Sequence, residues 1–300
     1  MSYTEYFGLN REAFSNAPDA RFYFNSEQHS QALLRLMYAV DSNKGLAVCI
    51  GGVGTGKTTL ARKMLDGLDE QHYESSLLVM VHSGITADWI LTRIAMQLGV
   101  EDPAQDRLPL LSQLYERLLA IDAAGKRAVV LIDEAQMLQT QELMEEFRGL
   151  LNLEIPGKKL LNIVFFGLPE VEECLRLDEP LSQRVAIKYH LKSLSLSTTR
   201  SYIQHRLQVA GASHMLFQSE AIPMIHRYSG GVPRLINTLC DNCLFEAFML
   251  KQADVDLKTV HNVAGDLGLF NRPRFAENPE PEQDDLDEIE SMLDRLEQQI

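Results

Sequence analysis

Between residues 46 and 191 the chain repeats one pattern. A short, continuous apolar run is followed by a longer stretch whose apolar residues recur three and four positions apart. The runs lie at 46–50, 77–81, 128–134 and 160–167, each short, uncharged until its end and rich in Val, Ile and Leu, and a last strand follows around 186–191. That is the signature of strands covered on both faces. The periodic stretches predict helices at 26–40, with Ser26 as N-cap, and at 59–68, 87–98, 108–124 and 169–177. Alternating strands and helices predict an α/β fold, a parallel sheet wound by helices on both faces.

The pattern changes after Ser193. From 197 to 266 only helical periods appear, at 198–210, 220–228, 233–250 and 256–264, which predicts a separate small all-α lid. Residues 1–44 read as an aromatic, turn-rich arm and a helix leading into the core, 45–193 as the α/β domain and 194–268 as the helical domain. Residues 269–285 read as an acidic disordered linker, and 286–300 as an amphipathic acidic helix with its apolar stripe at Leu286, Ile289, Leu293, Leu296 and Ile300.

The first strand–helix junction carries a specific chemistry. Gly51-Gly52-Val53-Gly54-Thr55-Gly56-Lys57-Thr58 is a complete G-x-x-x-x-G-K-[ST] loop, with Thr59 next in the helix. Its glycines let backbone N–H groups and a helix N-terminus surround a β-phosphate, Lys57 reaches the β/γ oxygens, and Thr58 holds Mg²⁺. The 128–134 strand ends in Asp133 and Glu134. At the C-terminal edge of a parallel sheet, Asp133 can help hold Mg²⁺ opposite Thr58 while Glu134 polarises an attacking water. Ser229-Gly230-Gly231-Val232-Pro233-Arg234 places an Arg in the first turn of a helix, an end that favours anions, so Arg234 suggests an anionic partner.

Composition excludes several classes. A hydrophobic content of 45% in 300 residues suffices for one substantial core and a smaller one. No apolar run approaches the roughly 20 residues of a bilayer span. The first thirty residues lack a basic segment followed by an apolar one, so the expected location is cytoplasmic. Cys49, Cys174, Cys240 and Cys243 are too few and too embedded in apolar sequence for a disulfide framework, and Cys240-x-x-Cys243 lies within a helical pattern that favours core packing over metal. Of the net charge of −14, residues 275–300 carry −9. The absence of a basic surplus speaks against nucleic acid as a partner, and so acidic a terminal helix speaks against direct binding to an anionic membrane.

With these pieces in view the sequence resembles the AAA+ ATPases, and among them the ExeA (general secretion pathway protein A) type. The resemblance spans about residues 3–267. It rests on Tyr6-Phe7-Gly8-Leu9, on Pro18-Asp19 with Phe22-Tyr23, on the phosphate loop and on Leu131-Ile132-Asp133-Glu134-Ala135-Gln136. It rests further on Gln183-Arg184-Val185 with Tyr189-His190-Leu191, and on the run from Tyr228 to Asn237. The resemblance implies Walker A roles for Lys57 and Thr58 and Walker B roles for Asp133 and Glu134. It also implies an arginine finger at Arg184, acting on a neighbouring subunit's γ-phosphate, and a sensor-2 role for Arg234. ATP and Mg²⁺ follow as cofactors.

The same resemblance implies an oligomeric ring, a hexamer among the options, serving a protein component of a secretion, pilus or envelope assembly and meeting the membrane only through that partner. Two departures stand out. Leu168 in Gly167-Leu168-Pro169-Glu170 replaces the Gln usual in this type, so the polar sensor-1 side chain is missing. The chain also lacks the transmembrane and peptidoglycan-binding segments of longer members, which implies a stand-alone ATPase core. Two alternatives stay open: a low-turnover ATP-dependent switch recruiting partners through its tail, which Leu168 favours, and an AAA+ DNA-transposition regulator, which would need a basic surface.

Overall fold

The computed structural model describes residues 2–17 and 19–270. Contacts divide the chain into two compact units: one comprises Glu27–Gly52 and Lys57–Leu191, the other Met1–Ser26, Val53–Gly56 and the chain from Lys192 onward.

The first unit is built on five parallel strands: β1 (Leu46–Gly51), β2 (Tyr73–Val79), β3 (Arg127–Asp133), β6 (Leu161–Gly167) and β7 (Val185–Leu191), in the order β2-β3-β6-β1-β7. A small antiparallel hairpin, β4 (Glu154–Ile155) with β5 (Lys158–Lys159), stands apart from this sheet. Every residue of β1 and β6 is buried, as is all of β3 beyond Arg127, which is why these runs are apolar without alternation. Alternate side chains divide between two cores. Val48, Ile50, Val130, Ile132 and Phe165 face one layer, which includes α4 (Ala87–Gln97), α5 (Arg107–Ala123) and α6 (Gln141–Leu150). Ala47, Cys49, Val129, Leu131, Val164 and Phe166 face the other, with α2 (Glu27–Asp41) and α3 (Lys57–Gly67). The short helices α7 (Val171–Arg176) and α8 (Glu179–Ser182) link β6 to β7.

The sequence pattern misplaces three features of this unit. The second strand runs over 73–79 rather than 77–81, because pairing decides it: Tyr73–Val79 match Arg127–Asp133 residue for residue, leaving Val81 beyond the sheet and 78% exposed. The helix α6 goes unread although it buries Leu143, Met144, Phe147 and Leu150 at helical spacing and is capped by the Thr140 hydroxyl accepting from the Leu143 N–H. The helix α8, started by an Asp178 cap with Pro180 in its first turn, likewise goes unread.

The second unit is helical: α9 (Leu196–Ala210), α10 (Ala221–Ser229), α11 (Pro233–Met249) and α12 (Leu257–Asp266), with a short α1 (Tyr3–Tyr6) and a 3₁₀ turn, Ala20–Phe22, in the arm. The arm packs into this unit, so residues 1–44 do not form one lead-in segment as expected; α2 alone joins the sheet. The reason is Arg206. It is buried, with its guanidinium 4.7 Å from the Phe22 ring centre and 5.9 Å from that of Phe14, and it donates to the carbonyls of Ala13 at 2.6 Å and Ser15 at 2.9 Å. Cation–π contact and charge-assisted hydrogen bonds thus tie arm to helix. Cys240 and Cys243 are fully buried free thiols, whose titration burial pushes upward, in keeping with core packing.

Leu269 and Phe270, which the sequence reading assigns to the linker, are packed in the helical unit: Leu269 is buried and Phe270 stacks on His261 at 4.8 Å. The remainder of the linker and the 286–300 helix lie outside the described residues. Among those residues, no helix is long and apolar enough to cross a membrane.

Candidate functional site

The strand register brings the chemistry-bearing ends together. Ile50 pairs with Gly167 and with His190, and Ile132 with Phe165, so β1, β3 and β6 finish along one edge of the sheet. Ligands bind at the carboxyl edge of such sheets. At that edge Gly51 ends β1 and α3 begins at Lys57, two residues before the predicted start. Lys57, Thr58 and Thr59 therefore form the first turn, where unpaired N–H groups and the helix dipole favour an anion. Lys57 is only 6% exposed, and its ammonium donates to the carbonyls of Gly51 and Gly52, both at 2.9 Å.

The tip of the loop, Val53–Gly56, groups by contacts with the helical unit. Gly54 has φ +79°, and a Cβ there would sit 2.7 Å from the Arg234 Cβ. The Arg234 N–H donates to the Gly54 carbonyl at 3.3 Å. Arg234 is the second residue of α11, after a Pro233 start, and its side chain is exposed.

Asp133 ends β3 and is 1% exposed. Its Oδ1 accepts the Glu134 N–H at 3.0 Å, while the buried Oδ2 has no hydrogen-bond partner among the described residues. Burial pushes its carboxyl up and the neighbouring Glu134 adds to this, against the Thr58 hydroxyl, the Glu134 N–H and the Lys57 charge. A buried carboxylate oxygen left open beside a threonine hydroxyl is the donor set that a hard divalent cation completes, so these residues fit Mg²⁺.

Glu134 follows in a left-handed conformation, φ 56° and ψ 39°, which turns the chain out of the strand. Its Oε2 accepts from Gln136 Nε2 at 2.5 Å, and Gln136 Oε1 accepts the Leu168 N–H at 3.0 Å. Gln136 is the residue whose part in this cluster sequence reasoning missed, although it closes the Leu131–Gln136 run on which the resemblance rests.

Arg184 is not part of this cluster. It precedes Val185, which pairs with Leu46 at the opposite end of β1, about 17 Å along the strand from Gly51 at roughly 3.3 Å per residue. Its guanidinium donates to Asn152 Oδ1 at 2.6 Å and to the Arg148 carbonyl at 3.3 Å. Leu168, beyond the end of β6, offers no polar side chain there.

Comparison with known proteins agrees with this geometry. The family model described as an AAA domain matches residues 40–175. General secretion pathway protein A of Aeromonas hydrophila is 40% identical over 249 residues, which is 82% of this chain and 45% of that protein; the chain therefore spans less than half of that relative's length. Among solved structures, Cdc6p from Pyrobaculum aerophilum superposes with a TM-score of 0.65 at 18% identity, over 87% of this chain and 72% of that one. The ORC2 protein of Aeropyrum pernix (ADPNP-ADP complexes) gives 0.64 at 16% over 86% and 72%, and the Thermotoga maritima RuvB branch migration motor gives 0.54 at 17% over 86% and 74%. At such identities these three speak to the fold alone. Sheet order, phosphate loop, acidic strand end and sequence relationship converge: the chain belongs to the AAA+ P-loop ATPases, of the ExeA (general secretion pathway protein A) type.

Proposed function

We propose that the protein binds ATP with Mg²⁺ and hydrolyses it as an oligomeric ring, using the energy to remodel or assemble a protein partner of a secretion, pilus or envelope system. The observation that carries the chemistry is the meeting of Lys57 and Thr58, in the first turn of α3, with the buried, open Oδ2 of Asp133. In this reading the N–H groups of the loop and of the first helical turn hold the β-phosphate, and Lys57 exchanges its two carbonyl partners for β/γ oxygens. Thr58 and Asp133 hold Mg²⁺, which when bound neutralises charge on the β- and γ-phosphates. Glu134 orients the attacking water and takes up its proton. Arg234 couples the helical unit to nucleotide, and Arg184 meets the γ-phosphate of a neighbouring subunit. The ring, with a hexamer as one closure, works at the cytoplasmic side of the inner membrane and reaches it through the partner. The relative's name motivates the secretion context.

Steady-state phosphate release tests the reading: the parent should turn over ATP in Mg²⁺, and Glu134→Gln should bind ATP with parental affinity but release no phosphate. Equal turnover in both would remove Glu134 from the role. A second reading, a low-turnover switch that recruits partners in its ATP state, is favoured by the apolar Leu168. It predicts tight ATP binding with turnover near background in the parent itself.

A further inference from the structure

We infer that Gln136 is a positioning residue, which holds the Glu134 carboxylate against the end of β6 and so supplies through the backbone the link that Leu168 cannot make through its side chain. The inference rests on the reading of Glu134 as the residue that activates water.

Glu134 is poorly restrained by its own backbone. A left-handed residue other than Gly costs roughly 1–2 kcal/mol, and a free glutamate side chain ranges over many rotamers. Something must select one of them if a water is to be aligned. Gln136 sits in the 3₁₀ turn Ala135–Met137 immediately after Glu134 and is 5% exposed. Both ends of its amide are engaged. The Nε2 donates to Glu134 Oε2 at 2.5 Å, a charge-assisted bond, and the Oε1 accepts the Leu168 N–H at 3.0 Å. The turn is itself fixed, since the Gln136 carbonyl accepts from Cys174 Sγ at 3.7 Å.

The neighbouring strand is shaped for this contact. A Cβ on Gly167 would fall 2.9 Å from Gln136 Oε1 and 2.3 Å from Val171 Cγ2, so only a glycine lets the amide approach the end of β6 this closely. Because β3 and β6 are adjacent and paired through Ile132 and Phe165, the bridge spans neighbouring strand ends. It joins the water-activating carboxylate to the position where this type of ATPase carries a polar side chain. The amide orientation is the one that satisfies both partners: a carboxylate needs a donor, and a backbone N–H needs an acceptor.

Three variants of the full chain test this, each measured for ATP affinity by calorimetry, turnover by phosphate release and thermal unfolding. Gln136→Met keeps length and bulk but neither donates nor accepts a hydrogen bond as an amide does. Gln136→Glu keeps the acceptor for Leu168 and loses the donor to Glu134. Glu134→Gln is the reference for lost water activation. The expected result is a kcat at least tenfold lower in both Gln136 variants with ATP affinity as in the parent, because a misplacement of about 1 Å can cost on the order of 10²-fold; the melting temperature should fall in both, and further in Gln136→Glu, whose carboxylate faces Glu134. Parental kcat in either variant, a raised kcat, or a loss of ATP affinity in step with kcat would each overturn the inference. Should Glu134→Gln turn over ATP like the parent, the failure lies with the reading of Glu134. Should Glu134→Gln be inactive while the Gln136 variants are parental, it lies with Gln136 alone.

Discussion

The guanidinium of Arg184 donates to Oδ1 of Asn152 at 2.6 Å, at the edge of the sheet where the strands begin and not where the phosphate loop lies. An Arg in that place has no route to its own chain's Lys57, and it acts in ATP chemistry only if another subunit brings a nucleotide to it. Arg184→Ala should therefore leave ATP binding to the dilute protein unchanged and abolish the rise of specific activity with protein concentration. An arginine supplied in trans is worth about 10³-fold or more in turnover in other NTPases. Mixing Arg184→Ala with Glu134→Gln subunits should restore activity, since one of the mixed interfaces has both groups intact. Mixtures that assemble by light scattering yet stay inactive would make Arg184 a structural residue of its own subunit.

Lys57 donates to two carbonyls of its own loop, so it both shapes the loop and waits for phosphate. Lys57→Ala should abolish tight ATP binding, because the main cation facing the β/γ oxygens is gone. The core beneath is apolar and independent of that ammonium, so the far-ultraviolet dichroism should match the parent. Calorimetry with unchanged ATP affinity would refute the assignment.

Gly54 allows both a positive φ and the approach of Arg234. In Gly54→Ala the new methyl carbon meets the Arg234 Cβ at 2.7 Å while the backbone is held in a region that costs a non-glycine residue about 1 kcal/mol or more. The expected outcome is a lower melting temperature without nucleotide and an ATP affinity reduced at least tenfold. A parental value for both would mean that the loop tip adjusts freely.

Much of this was legible in the sequence because it depends on local pattern. The buried strands announced themselves by continuous apolar runs, and the phosphate loop by glycine spacing that few other structures require. What was not legible depends on pairing across distance. The start of β2 is set by β3, through Tyr73 opposite Arg127, and not by its own polar residues Ser75 and Ser76. The arm's attachment depends on Arg206, about 190 residues away in sequence from the carbonyls it binds. Gln136 reads as one more polar residue after a strand until the Leu168 N–H is found at its amide oxygen. Helix α6 is a different case: its spacing and its Thr140 cap were present in the sequence and could have been read.

The burial of Asp133 should make it a liability to the protein without its cation. Oδ2 is buried with no partner among the described residues, and the carboxyl is pushed above its ordinary value of 3.8, chiefly by desolvation. For an acid whose folded pKa is raised, the native state is penalised wherever the group must be charged. That cost is absent below the unfolded pKa and grows as pH rises through the folded one. Asp133→Asn removes the charge, keeps the shape and supplies an amide, so the variant without nucleotide or metal should be more stable than the parent at neutral pH. The gain should be on the order of 1 kcal/mol. It should shrink as pH is lowered through the raised pKa of the parent's carboxyl, which protonates there. Adding Mg²⁺ with ATP should reverse the order, because a ligand bound only by the native state stabilises the parent by mass action and the variant has lost a cation ligand. Thermal unfolding of both proteins across pH 4 to 8, with and without Mg²⁺-ATP, measures all of this. A parent more stable than Asp133→Asn in the absence of metal, or a gap that widens toward low pH, would show that the carboxylate is compensated within the protein and is not held open for a cation.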